Sequence, residues 1–205
     1  MVSVDEMTGI PALERAAPSR PMAPGRVQTR EFEYIRQGTR APIAGIHVAT
    51  GKVYGEAGAT QTEADFTRFL ETPMTQEPNA KRRHFVVDNL NTHASIVRLV
   101  ARHLGIDETK SGIKGKEGVL ASLASRKAFL RDPTHWVVFQ FTPKHASWLN
   151  QIEIWFSILV RTVIRRGNFS SLKDLHDKLL AFIDYFDRTM AEPFRWTYQD
   201  KPLTV

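Results

Sequence analysis

His84-Phe85-Val86-Val87-Asp88-Asn89 is the stretch on which the fold turns. Its apolar run does not alternate, and it is bounded by the basic cluster Lys81-Arg82-Arg83 and by an Asp-Asn pair. That pattern suits a short strand buried on both faces. Trp136-Val-Val-Phe-Gln-Phe141, stopped by Thr142-Pro143, reads as a second such strand, and Val2-Ser-Val-Asp-Glu6 as a third, alternating one that ends on acids. Between the first two lies Ser95 to Leu104, an amphipathic helix (Ile96, Val97, Val100, Leu104) closed by Gly105.

Working outward, Thr8 to Gln37 is rich in Pro and Arg with little periodicity and reads as a long excursion or an irregular hairpin. Residues 41–49 and 52–56 flank Thr50-Gly51 as a hairpin. Thr62 caps a helix running to about Thr72, with Phe66, Phe69 and Leu70 as its apolar stripe. Residues 106–118 are polar and rich in Gly and Lys and read as a mobile loop. Val119 to Leu130 follows as a helix with Leu120, Leu123, Ala124 and Leu130 inward. From Trp148 to Arg166 the residues Trp148, Ile152, Trp155, Phe156, Leu159 and Val163 share one helical face, and Gly167 ends the helix. Ser171 opens the last helix, and no internal repeat interrupts the series. Strands alternating with helices in this order predict a single mixed α/β domain over residues 1–205.

The 205 residues hold no cysteine, which excludes disulfides, thiolate nucleophiles and Cys-ligated metals and fits an intracellular protein. Twenty-eight basic residues against 22 acidic ones leave a net charge of +6. Residues 81–140 alone carry 11 against 5, so this middle stretch is the expected polyanion-facing part. No apolar run reaches the ~18 residues of a membrane helix, and Met1-Val2-Ser3 opens no signal peptide.

Asp5 and Asp88 each end a strand, and Glu153 lies one turn into the long helix beside Ile152. Two strand ends and a helix edge can bring three acids to one rim of a sheet. Clustered carboxylates repel, so they call for cations. Oxygen donors favour Mg²⁺ or Mn²⁺, and a pair of such ions suits phosphodiester cleavage. Residue by residue, plainer readings stand equally: Asp5 as an exposed acid at a frayed end, Asp88-Asn89 as a turn, Glu153 as a solvated border residue.

The motifs narrow the choice. Phe85-Val-Val-Asp-Asn-Leu-Asn-Thr-His93 resembles the second acidic motif of DDE transposases of the mariner-like superfamily of bacterial insertion sequences. Phe141-Thr-Pro-Lys-His-Ala-Ser-Trp-Leu-Asn-Gln-Ile-Glu153 resembles their third motif, and Val4-Asp5-Glu6 their first. Tyr34-Ile-Arg-Gln-Gly-Thr39 and Pro193-Phe-Arg-Trp196 match further signposts. The resemblance implies a ribonuclease H-like mixed sheet flanked by helices. It implies that Asp5, Asp88 and Glu153 hold two Mg²⁺ ions, with Mn²⁺ able to substitute, for cutting transposon-end DNA and joining it to target DNA. It further implies a homodimer or higher oligomer in a bacterial cytoplasm, associated with the nucleoid.

Two departures qualify the match. Family members carry helix-turn-helix domains ahead of the first acid, whereas four residues precede Asp5 here. The expectation is a catalytic domain without its recognition region, and the alternative is a non-catalytic remnant acting by dimerisation or competition. A stand-alone nuclease for RNA–DNA hybrids is a further rival. Sixty-four residues separate Asp88 from Glu153, about twice the family interval, and the surplus falls on an insertion at 105–131 that could form a DNA-contacting flap.

Around the trio, Asn89 and His93 read as supporting residues behind the acids, and His93, five residues past Asp88, suits contact with a scissile phosphate or equally a satisfied polar place at a helix start. Lys144, His145 and Asn150 precede Glu153 and are candidate DNA contacts, and Asn150, one turn before Glu153, equally suits orienting it or a solvated polar face. Arg161 and Arg165 lie opposite the buried stripe and suit a DNA backbone, or equally a solvated basic face. Trp148, Trp155, Phe156 and Trp196 read as core.

Overall fold

A computed structural model describes residues 1–76, 80–88, 94–143 and 149–195. Strand β1 (Val2–Glu6) lies parallel to β5 (Arg83–Val87), with Val2 opposite Phe85 and Ser3 opposite Val86. Strand β5 lies parallel in turn to β6 (Val137–Phe141). On its other edge β1 pairs antiparallel with β3 (Tyr34–His47), which pairs antiparallel with β4 (Val53–Gly58). The expected turn joins these last two strands, with Gly51 at φ 74.

Helices cover both faces of this six-stranded sheet. On one, α1 (Glu63–Thr75) and α2 (Ala94–His103) bury Phe69, Leu70, Val97 and Val100 against Val4, Phe85 and Phe139. On the other, α4 (Ile152–Leu159) and α5 (Leu172–Thr189) bury Trp155, Phe156 and Phe182 against Ala44, Ile46 and Val53. The expected ribonuclease H-like mixed sheet flanked by helices is the architecture found.

Of the two readings of Thr8–Gln37, the irregular hairpin is the one found: β2 (Ile10–Arg15) runs along the first half of β3, with a register shift between Pro11 and Leu13. Three local expectations change. The α1 helix continues through Pro73 to Thr75, opened by a Thr62–Asp65 capping box. Residues 106–118, read as a mobile loop, are folded. A 3₁₀ turn spans Glu108–Ser111, Ile113 bridges Glu117, and Ser111 is buried. Gly112, at φ 88, makes this possible, because a Cβ there would stand 2.2 Å from the Glu117 carbonyl oxygen. Helix α3 (Leu123–Arg131) starts four residues later than expected, capped by Ser122. Leu123 and Ala124 are therefore exposed rather than inward, while Leu120 and Leu130 are fully buried as expected. This segment packs on α2 and β6, so it covers a sheet edge.

The long helix expected from Trp148 begins at Ile152, and beyond Leu159 it widens into a π turn over Val160–Ile164. The amide of Arg165 donates to the Val160 carbonyl at 2.8 Å, five residues back, as that turn requires.

Candidate active site

Period two along β1 places Val2 and Val4 on the α1/α2 face and Ser3 and Asp5 on the α4 face. In β5, Phe85 and Val87 belong to the α1/α2 core, so the same alternation carries Asp88 to the α4 face. The parallel register of β1 and β5 brings Asp5 level with Asp88 at the carboxyl ends of the two strands.

Asn150 locks α4 onto this rim. Its amide nitrogen donates to Asp5 Oδ2 at 3.0 Å and to the Val4 carbonyl at 3.2 Å, and its own side-chain oxygen accepts from the Ser3 hydroxyl. Ser3 Oγ in turn accepts the Ile152 amide at 3.1 Å, and the Asn150 carbonyl accepts the Glu153 amide at 3.0 Å. Glu153 is thus held in the first turn of α4, one residue beyond the last bond to a β1 side chain. Asn150, for which orienting Glu153, contacting DNA and facing solvent were all open, is fully buried as this clasp. The reason lies in β1, nearly 150 residues away in sequence, whose polar face needs a partner.

Asp5 is not a frayed-end acid either, being only 8% exposed. Burial pushes its carboxyl up to about 7, and the charges of Asp88 and Glu153 push the same way. The Glu6 amide, donating to Asp5 Oδ1 at 2.8 Å, and Asn150 partly offset that rise. The buried Asp5 carboxylate therefore feels the charges of both other acids. Glu6 was not foreseen as part of the site. Burial raises its carboxyl, followed by the charges of Asp65 and Asp88. Its sequence signal was its place beside Asp5 in the first motif, Val4-Asp5-Glu6.

Beside the rim, a cleft of about 400 Å³ opens between Glu6, Met7 and Thr8 on one wall and Glu153, Phe156, Ser157, Val160 and Arg161 on the other. Arg161 shares this cleft with Glu153, whereas Arg165 lies outside it on the exposed end of the π turn. Asn89, His93, Lys144, His145, Trp148 and Trp196 lie outside the described residues.

A hard divalent cation fits the chemistry of these donors: three carboxylates, one of them buried and held partly protonated for want of a compensating charge. Among the described residues no three His, Asp or Glu side chains form a ready-made cage. The fit therefore rests on donor type and charge. Also among the described residues, no helix is long and apolar enough to cross a membrane.

Compared with known families, residues 1–176 match the model described as DDE superfamily endonuclease. No curated protein matches the chain.

Proposed function

The chain belongs to the DDE superfamily endonucleases, an enzyme family of the nuclease and transposase kind that acts on DNA and generally uses divalent metal ions, and from that premise we propose that it cuts and joins DNA strands at the ends of an insertion sequence. Asp5, Asp88 and Glu153 are the residues that would hold the cations. The observation that carries this reading is the buried Asp5 carboxyl, raised to about 7 beside the charges of Asp88 and Glu153. A fold stores such repulsion where a ligand relieves it.

Two bound Mg²⁺ or Mn²⁺ ions would supply charge neutralisation at the phosphate and a more acidic water. The protein's own part is positional. Asn150 and Ser3 fix the start of α4, so Glu153 is held against the strand ends rather than swinging on a loop. Asn150 also orients Asp5 by binding one carboxylate oxygen, while the Glu6 amide binds the other. Arg161, across the cleft from Glu6, offers a guanidinium to a phosphate flanking the cut. Hydrolysis breaks the bond between phosphorus and the 3′ oxygen at the transposon end and leaves a 3′-hydroxyl. That hydroxyl then attacks a target phosphodiester and displaces the target strand's own 3′ oxygen. Two ends require two such sites, so the working form is a homodimer or higher oligomer. The mariner-like placement rests on the Phe141–Glu153 motif.

The test is nicking of end-bearing duplex in Mn²⁺. Asp88→Asn and Glu153→Gln should abolish it with circular dichroism unchanged. Nicking at the parent rate by either variant would remove these residues from the chemistry.

A further inference from the structure

The segment between β2 and β3 has no role in the site above. Beyond Arg15 opposite Tyr34, the hairpin continues: the Ala16 amide donates to Glu33, Arg20 bridges Thr29, and Ala23 bridges Arg26. Pro24-Gly25 forms the tip, with Gly25 at φ 73 as a tight turn of this kind demands. Ala23 lies eight positions beyond Arg15, so the arm extends about 26 Å at ~3.3 Å per residue. Residues 20–30 are exposed throughout.

Its direction is set by β3. Asp5 pairs with Ala44 and Glu6 with Ile43, Met7 still donates to the Pro42 carbonyl, and Ile10 pairs with Arg40. β2 therefore prolongs β1 along one edge of β3, past the carboxyl end where Asp5 sits. The arm projects from the rim that bears the acids.

Its charge is lopsided. Residues 15–40 hold six arginines against two glutamates, Glu31 and Glu33. Arg15 is engaged with the Glu31 carbonyl and Ser19, but among the described residues Arg20, Arg26 and Arg30 are paired with no acid. Glu31 spends one oxygen on the amides of Phe32 and Glu33. An isolated two-stranded hairpin is marginal in water, so this one calls for a partner.

We infer that the arm is a clamp for duplex DNA, its Arg20, Arg26 and Arg30 lying along the phosphate backbone next to the strand held at the acidic rim. The inference rests on the reading of the chain as a DNA-cutting enzyme. Phosphate is the occupant because free guanidinium groups on extended backbone match its charge and its bidentate geometry. The exposed apolar side chains Met22, Val27 and Phe32 are what a second copy of the chain would use instead, and the test separates the two.

The experiment measures binding of the full chain to a 30-base-pair duplex of arbitrary sequence in EDTA, as a function of salt. Each phosphate contact contributes about 0.9 to the slope of log affinity against log salt, so Arg20→Ala/Arg26→Ala/Arg30→Ala should reduce that slope by about 2–3. The corresponding triple Lys variant should restore it. An unchanged slope overturns the clamp, and an unchanged slope with loss of self-association in sedimentation assigns the arm to a second copy. Binding of no duplex by the parent removes the DNA-cutting reading and the clamp with it.

Discussion

Replacing Asp5 by Asn should make the metal-free protein less sensitive to pH while destroying its activity. The Asp5 carboxyl titrates near 3.8 in the unfolded chain and near 7 in the folded one. Between those values the folded chain keeps a proton that the unfolded chain has lost, so stability is full below the lower value and falls as pH rises through the upper one. At about 1.4 kcal/mol per pH unit, the two units from pH 5 to pH 7 correspond to about 3 kcal/mol lost, with the decline levelling off by pH 8. Both Asp5 oxygens accept hydrogen bonds, from Glu6 and from Asn150. The protonated acid and Asn therefore face the same single mismatch, and the two proteins should have similar stability at pH 5. By pH 8 the variant should be the more stable by about 3 kcal/mol. Glu6 is raised in the same direction and His84 is lowered, so each adds its own pH dependence, but both are common to parent and variant. The assay is urea unfolding in EDTA at pH 5, 6.5 and 8. Parallel decline of the two proteins would refute the reasoning, since it would show that no buried charge at Asp5 opposes the fold.

Other outcomes follow from the same geometry. Asn150→Ala should destabilise by about 2–4 kcal/mol, because it strips partners from buried Ser3 and Asp5 and leaves a cavity; urea unfolding measures this. Ser3→Ala orphans the Ile152 amide and should cost about 1–3 kcal/mol in the same assay, with a nicking rate that drops as α4 loosens. Gly112→Ala should lower the melting temperature clearly more than Gly115→Ala, since both glycines have positive φ but only the first meets backbone at 2.2 Å. Arg161→Ala should raise KM for DNA with little change in single-turnover nicking at saturation, as expected of a group that positions phosphate.

The parts of the fold carried by short-range signals were legible. The apolar runs at Phe85 and Val137 are buried parallel strands, and Thr62 and Ser171 cap the helices they were expected to open. Asp5 and Asp88 were recognisable as strand ends, and parallel pairing brings them level. What was missed or left open depended on partners distant in sequence or on backbone turns that composition does not reveal. The arm shows no alternation because its register comes from β3 and its exposed strands have no core face to mark. The folding of residues 106–118 follows from backbone turns at Gly112 and Gly118, which composition alone reads as looseness. The role of Asn150 stayed open between orienting Glu153, contacting DNA and facing solvent because nothing local buries it; β1 does. The charge count pointed to residues 81–140, and the arm adds Arg20, Arg26 and Arg30, exposed and paired with no acid among the described residues.

The central claim is that Asp5, Asp88 and Glu153 together hold hard cations, and Mn²⁺ titration followed by electron paramagnetic resonance tests it without requiring activity. The parent should bind Mn²⁺, and Asp5→Asn, Asp88→Asn and Glu153→Gln should each weaken binding at least tenfold. Equal affinity in all four proteins would contradict the claim.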